Sequence, residues 1–357
     1  MSRRMMVVLT LLCIAAETAR ACCPAWRLGE MVRIADQRIL VAFDPRSGTE
    51  HFVREARFAG AGEREGAFGF LVPSPTEPEI GEADGGVFDE LERLSQPRIE
   101  RVTRLRPRFS LLASLVLGRA EPASRSVDSM IDAPAVTVVK TVRVAGYEAV
   151  VLRADDPQRL ADWLADNGFD SRPELVAWSA PYVARGWMIT AFKYVGGAAV
   201  VDVSAVRMSF ATETPVFPYR VPTDQIATAG RGSLLRAYVV GPGRATGMLG
   251  EGEEARPWSQ AEVRVSRPLA GDGGDLRPLT AALPADATAA FDDAWLTAFD
   301  DPTWPSGTDD LTFQFDPRAE PYQRVVRREM ERDIVVPLDV IGLAAVGLFF
   351  VRRRRAA

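Results

Sequence analysis

Hydrophobic and polar residues alternate along much of this chain with the two-residue period of half-buried strands. Residues 37–43 and 50–58 read as strands joined by the turn Asp44-Pro45-Arg46-Ser47-Gly48. Residues 66–72 give a third strand, which runs into Pro73-Ser74-Pro75-Thr76-Glu77-Pro78, an extended segment that cannot continue a sheet. The period changes at 86–96, where Phe88, Leu91 and Leu94 predict a helix. Residues 98–134 are arginine-rich, then Pro/Ser-rich, and hold an apolar run, Phe109 to Leu117, too short to span a bilayer. A domain boundary or a long excursion is expected there.

Val136, Val138, Val142 and Val144 then share one face of a strand, with Lys140 interrupting that face near a sheet edge. Ala145-Gly146 turns the chain into a hairpin partner at 147–153. Asp156 and Pro157 are placed as N-cap and first residue of a helix. Leu160, Trp163 and Leu164 form its buried stripe, and Asn167-Gly168 ends it. A second helix begins near Pro173 and should kink or stop at Pro181. Strands follow at 187–194, 199–210, 234–240, 261–265 and 311–315, with a Pro-rich rim at 214–222 and loops at 241–256 and 270–285. A short helix is expected at 291–299 and a charged one at 321–333. Strands and helices mix without β-α alternation. The fold class predicted is α+β, with mixed, mainly antiparallel sheets and helices packed on them, plus one C-terminal transmembrane helix.

The two ends carry the longest apolar runs. Arg3 and Arg4 precede 12 residues, Met5 to Ala16, with Thr10 as the only polar member; Ala19-Arg20-Ala21 follows. This order of charged, apolar and small residues is that of a signal peptide over residues 1–21. At the other end, residues 334–351 are apolar apart from Pro337 and Asp339, and Arg352, Arg353, Arg354 and Arg355 follow at once. Eighteen helical residues reach roughly 27 Å, enough for a bilayer core, and the arginines act as a cytoplasmic stop-transfer. A short apolar tail ending in arginines also suits a sorting signal that is cut off. The expected organisation is a signal peptide (1–21), an N-terminal β-rich domain (22–130), a C-terminal α+β domain (131–333), a transmembrane helix (334–351) and an Arg-rich cytoplasmic tail (352–357). The chain is expected in the cell membrane, single-pass, with its body extracytoplasmic.

Composition adds exclusions. Lys plus Arg is 43 against 48 Asp plus Glu, so the formal net charge is -5, which is unlike a nucleic-acid binder. His51 is the only histidine, so two-His metal motifs are excluded and a Ser-His-Asp triad could be built on His51 alone. No GxSxG elbow, Walker motif or dinucleotide fingerprint is present. Cys13 belongs to the signal segment. That leaves Cys22 and Cys23, adjacent at the mature N-terminus, as a vicinal disulfide, an intermolecular bridge or a thiol pair for a soft metal; two thiolates alone do not make a zinc site.

Several phrases form a recognisable series. Ala21-Cys22-Cys23-Pro24 is followed by QRILVAFDPRSGTEHFVREARFAG (37–60), FGFLVPSPTEPEI (68–80), YEAVVLRADDPQRLADWLADNGF (147–169) and PVFPYRVP (215–222). In these the chain resembles the bacterial family known as domain of unknown function 2330, with Val72-Pro73-Ser74-Pro75 as the most specific part and Phe70 as the aromatic before it. The resemblance implies an exported, often membrane-tethered protein with no established activity, and supplies no catalytic residues, metal or cofactor. The expected function is a binding or scaffolding module of the cell envelope. Its partners would be the membrane, through the C-terminal helix, and an envelope protein or polymer, not nucleic acid. The alternative is an extracytoplasmic hydrolase using carboxylates, which would need two or more acids in one cleft with His51 or an arginine.

Overall fold

The structure is a computed structural model that describes residues 24–26, 33–59, 68–110, 140–169, 171–194, 205–227, 234–269, 277–304 and 307–337, with 348, 352 and 354. Its strands are β1 (Pro24–Trp26), β2 (Arg33–Asp44), β3 (Thr49–Ala59), β4 (Phe68–Ser74), β5 (Glu79–Ala83), β6 (Arg98–Ser110), β7 (Lys140–Val144), β8 (Tyr147–Arg153), β9 (Met188–Tyr194), β10 (Ala205–Ala211), β11 (Val216–Phe217), β12 (Leu234–Gly241), β13 (Arg244–Leu249), β14 (Arg256–Pro257), β15 (Glu262–Pro268), β16 (Trp295–Asp301), β17 (Leu311–Asp316), β18 (Tyr322–Gln323) and β19 (Val325–Pro337). The helices are α1 (Val87–Leu94), α2 (Pro157–Asp166), α3 (Pro173–Ala184), α4 (Thr223–Ala227) and α5 (Arg277–Ala282). The fold is α+β, dominated by antiparallel sheets. Two compact units divide it, one within Met1–Gln96 and Val127–Tyr322, the other within Pro97–Ser126 and Gln323–Ala357.

The larger unit is layered because its strands are apolar on both faces. An eight-stranded sheet has the order β18-β15-β16-β12-β2-β3-β10-β5, and a five-stranded sheet the order β1-β4-β9-β8-β7. Ile39, Val41, Phe52, Met208 and Val239 of the first meet Phe70, Val72, Tyr147, Val151 and Phe192 of the second in one buried core. A third sheet, β11-β17-β13-β14, adds Phe217, Leu249 and Phe313 to it. The alternate residues of each strand face outward under helices. Leu40, Val53 and Val240 pack with Phe88 and Leu91 of α1 and Leu279 of α5. Leu71, Leu152 and Ile189 pack with Trp163 of α2 and Trp178 and Tyr182 of α3. Each such side chain taken out of water contributes roughly 1.5–3 kcal/mol, so strands covered on both sides give the unit most of its stability.

Local signals hold where they are strongest. The Asp156 carboxylate accepts the Arg159 amide hydrogen at 2.9 Å, with Pro157 opening α2. Gly168 takes φ +79° after the helix end. The Ala145-Gly146 turn has φ of 52° and 78°, both left-handed, and closes the β7–β8 hairpin. Lys140 is exposed on the edge strand β7.

Elsewhere the structure corrects the sequence reading. A boundary near residue 130 does not separate the sheets, since β2, β3 and β5 share one with β10, β12, β15 and β16. Pro73 does not end β4: the strand runs on to Ser74 with Pro73 paired to Ile189 of β9, and among the described residues its register with β1 ends at Phe70, short of the proline. The helix expected at 291–299 is one turn, Thr288–Phe291, then β16. Its apolar run is that of a strand buried on both faces, which periodicity alone does not separate from a helix. The loops expected at 241–256 and 270–285 contain β13 and α5. Helix α3 passes through Pro181 and ends at Ala184, one turn beyond.

The charged helix expected at 321–333 is the strand β19, which pairs in parallel with β6 from Val325↔Arg98 to Pro337↔Ser110. These two strands form the smaller unit's sheet. Ile334 to Pro337, counted above with the transmembrane helix, belong to this strand. No helix among the described residues is long and apolar enough to cross a membrane; residues 338–347 and 349–351 lie outside them, as do the signal segment 1–21 and Val136 and Val138.

Candidate functional site

The Pro-rich segment after β4 forms a ridge between two clefts. Pro75, Thr212 and Glu213 line both. One cleft, of about 680 Å³, continues over Phe43, Pro45 and Gly48. The other, of about 480 Å³, runs between Trp187, Val216, the Gly250–Glu251–Gly252 turn, and Thr312 and Gln314 of β17. The second is the better candidate, because it combines an aromatic wall with several polar side chains, the mixture that orients a small ligand or a polymer end.

Its walls are fixed by one buried carboxylate. Asp310 is 3 % exposed and joins three segments distant in sequence. Its Oδ1 accepts the Tyr182 hydroxyl hydrogen at 2.6 Å and the Arg220 amide hydrogen at 3.3 Å. Its backbone carbonyl accepts the Gly250 amide hydrogen at 3.0 Å, which sets the turn on the cleft rim. Burial pushes the Asp310 carboxyl up, and it drives the Tyr182 hydroxyl well above the ordinary 10.0, with the Asp310 charge adding to the effect. Arg185 leads from this cluster to the cleft. It lies 3.5 Å from Asp310 Oδ2, pairs with Glu251, and its guanidinium sits 4.5 Å from the centre of the Trp187 ring. Trp187 is thus held by a cation stacked against it.

Behind Val216 lies a second buried acid. Glu50 is wholly inaccessible, and its Oε2 accepts the Val216 amide hydrogen at 2.8 Å. Among the described residues Oε1 has no hydrogen-bond partner. Burial raises its pKa well above the ordinary 4.5. By contrast, the equally buried Asp301 accepts from Tyr219 and Trp258 on one oxygen and from Thr303 on the other; it organises the core between sheets.

The acids and the histidine do not gather together in this cleft. Glu213 and Glu251 share the cleft, but Glu251 is tied to Arg185. His51 does not join them. It follows Glu50 on β3 and so faces the opposite side of the sheet, where its Nδ1 lies 2.8 Å from Ser209 Oγ on the neighbouring strand. Burial, then the Arg207 charge, lowers its pKa. Glu55, another acid near His51 in sequence, is paired with Arg38 at 2.6 Å. Among the described residues no three of His, Cys, Asp and Glu are grouped to hold a metal ion. Cys22, Cys23, Arg353 and Arg355 lie outside the described residues, while Arg352 and Arg354 are exposed. Sequence reasoning missed Trp187, Arg185, Tyr182 and Asp310 as a set; its one usable signal was the Val72-Pro73-Ser74-Pro75 phrase, whose last residue lines both clefts.

A family model described as an uncharacterized protein conserved in bacteria, DUF2330, matches residues 19–310. The match contains nearly all of the larger unit and strand β6, and stops before β17 and β19. No curated protein and no solved structure matches the chain.

Proposed function

The chain belongs to this uncharacterised bacterial family, and from that premise we propose a membrane-tethered, extracytoplasmic binding or scaffolding module of the cell envelope. The observation that carries the binding reading is the cleft itself. Trp187 is held against it by Arg185, its rim is set by Asp310 through Gly250, and the only histidine lies on the other side of the sheet. A cleft built this way presents a rigid aromatic surface and hydrogen-bonding groups, which suits a segment of an envelope polymer or a protein loop. The tether is argued from residues 1–21 and from the apolar run ending in Arg352–Arg355. Because β19 extends to Pro337, the helical part of that run is left with 14 residues, 338–351. That is roughly 21 Å of helix against a core of about 30 Å, so a full span requires local thinning of the bilayer or release of 334–337 from the strand.

Two measurements test the reading. In a thermal-shift screen against soluble fragments of envelope polymers, at least one fragment should stabilise the wild-type chain and leave Trp187→Ala unshifted. A screen in which no fragment separates the two proteins would remove the binding role from this cleft. Intact mass and membrane partition of the protein from its own envelope test the tether. The expected species lacks residues 1–21, keeps Arg352–Arg355 and sediments with membranes; a soluble species with an intact tail would contradict it.

A further inference from the structure

The pairing of β6 with β19 sorts charge between the two faces of a ribbon. The register is unbroken from Val325↔Arg98 to Pro337↔Ser110, and residues paired across two strands lie on one face. One face therefore carries positions 98, 100, 102, 104, 106 and 108 with 325, 327, 329, 331, 333 and 335. Among the described side chains, the acids Glu100 and Glu329 fall there beside Arg98, Arg104 and Arg327. Two ion pairs mark that face, Arg327–Glu100 at 3.3 Å and Arg104–Glu329 at 2.9 Å. The opposite face takes the odd positions of β6 and the even ones of β19. Among its residues with described side chains are two arginines, 101 and 328, no acid, and Ile99, Val326 and Met330 beside them.

Among the described residues neither face is covered, since Val102 and Val325 are exposed on the ion-paired one, but only the second is free of acids. Ile99 is 48 % exposed and Met330 54 %. Arg101 and Arg328 are exposed and make no ion pair among the described residues. Parallel strands are ordinarily covered on both faces, and two strands alone are marginal in water. The direction of the chain suggests what covers this one. Because the strands are parallel, both leave the ribbon at the same end, β6 into Leu111-Leu112-Ala113-Ser114-Leu115-Val116-Leu117 and β19 into the apolar run 338–351. Arginines without counter-ions interleaved with apolar side chains match an anionic lipid surface, where each cation near the headgroups adds to attraction and each apolar side chain enters the interface.

We propose that the acid-free face of the β6–β19 ribbon lies on the anionic surface of the membrane to which the chain is tethered. The proposal rests on the membrane attachment argued above and adds a second contact with the bilayer, made by strands. The ion-paired face then points to water, where its charges compensate one another.

The test uses the full-length chain with its native cysteines replaced by serine. A single cysteine bearing an environment-sensitive dye is placed at Thr103 on the acid-free face, at Val102 on the ion-paired face, or at Ala345 in the tail. The proteins are reconstituted in vesicles with and without phosphatidylglycerol, containing nitroxide lipids. The expected result is a blue shift and quenching at position 103 only when phosphatidylglycerol is present, with position 102 unmoved and position 345 quenched in both vesicles. Replacing both exposed arginines, Arg101→Gln with Arg328→Gln, should lower the anionic-vesicle response at 103 by roughly thirty-fold in lipid concentration. Equal responses at 102 and 103, or none at 103 while 345 is quenched, overturn the proposal and leave the tether intact. No quenching at 345 overturns the tether alone if 103 still responds to phosphatidylglycerol. A response at 103 to soluble heparin and not to vesicles would also overturn it, by making the occupant a polyanion.

Discussion

Glu50 shows how one residue can oppose its neighbours. It shares a strand face with the buried Phe52 and with Arg54, and among the described residues its hydrogen bond is to the Val216 amide. Its pKa in the fold lies above the ordinary 4.5. The unfolded chain is ionised above that value while the folded chain holds the proton, so the fold binds more protons there. Stability is therefore fully present below about pH 4.5 and is lost as pH rises through the folded value. Glu50→Gln keeps the Val216 contact and cannot ionise. It should flatten this alkaline loss, with a gain over wild type that grows with pH to roughly 1–3 kcal/mol, read by urea unfolding at a series of pH values. A variant whose pH profile overlays the wild type would mean that Glu50 is charged in the fold.

At the level of elements, α1 shows charge deciding where a helix sits. Phe88 and Leu91 give it an apolar stripe, which fixes a face but not a position along the sheet. Arg264 fixes the position: it donates to both Glu92 oxygens at 2.8 and 2.7 Å, and the Tyr238 hydroxyl donates to Oε2 at 2.8 Å. Arg38 holds Asp89 at 2.7 Å one turn earlier. The Arg264 contact is the main cause that holds the Glu92 carboxyl down at about 2, below its ordinary 4.5. The stability it brings is present above about pH 4.5 and fades as pH falls towards 2. Glu92→Gln should cost about 2 kcal/mol near neutrality and almost nothing near pH 2, so acid should close the gap between the two unfolding curves. Such elements were legible where their causes are local. Asp156, Pro157 and Asn167-Gly168 delimit α2 within a dozen residues, and Ala145-Gly146 specifies a hairpin by itself. The cleft was not legible, because Tyr182 and Asp310 are 128 positions apart and nothing in either neighbourhood announces the other. The reading of 321–333 failed for a related reason: Arg and Glu fit helices and edge strands alike, and only the distant β6 turned them into a strand.

For the molecule as a whole, the two units should differ in how readily they open. The larger unit buries aromatic and aliphatic side chains on both sides of its strands, whereas the smaller has a two-stranded parallel sheet with exposed Ile99, Val102, Val325 and Met330. Hydrogen exchange in detergent-free solution should show β6 and β19 amides at least about a hundredfold less protected than those of β12. Equal protection in both units would mean that the ribbon is covered even without lipid. Sequence alone suggested the strand-rich composition of the body, but it placed a division near residue 130 that the sheets cross, since pairing partners are chosen by burial over the whole chain.

The parallel ladder between β2 and β12 has a further effect, on the time course of folding. It joins Asp36–Ala42 to Leu234–Val240 in the middle of the largest sheet, across roughly two hundred intervening residues. Strands β2 and β3 can pair as soon as both exist, yet until Leu234–Gly241 arrives β2 has an open apolar edge. A chain emerging from its N-terminus would thus hold an unfinished, sticky sheet for most of its synthesis. Slow completion of the sheet, and dependence on a holding chaperone until the last third of the body appears, follow from the position of that one strand.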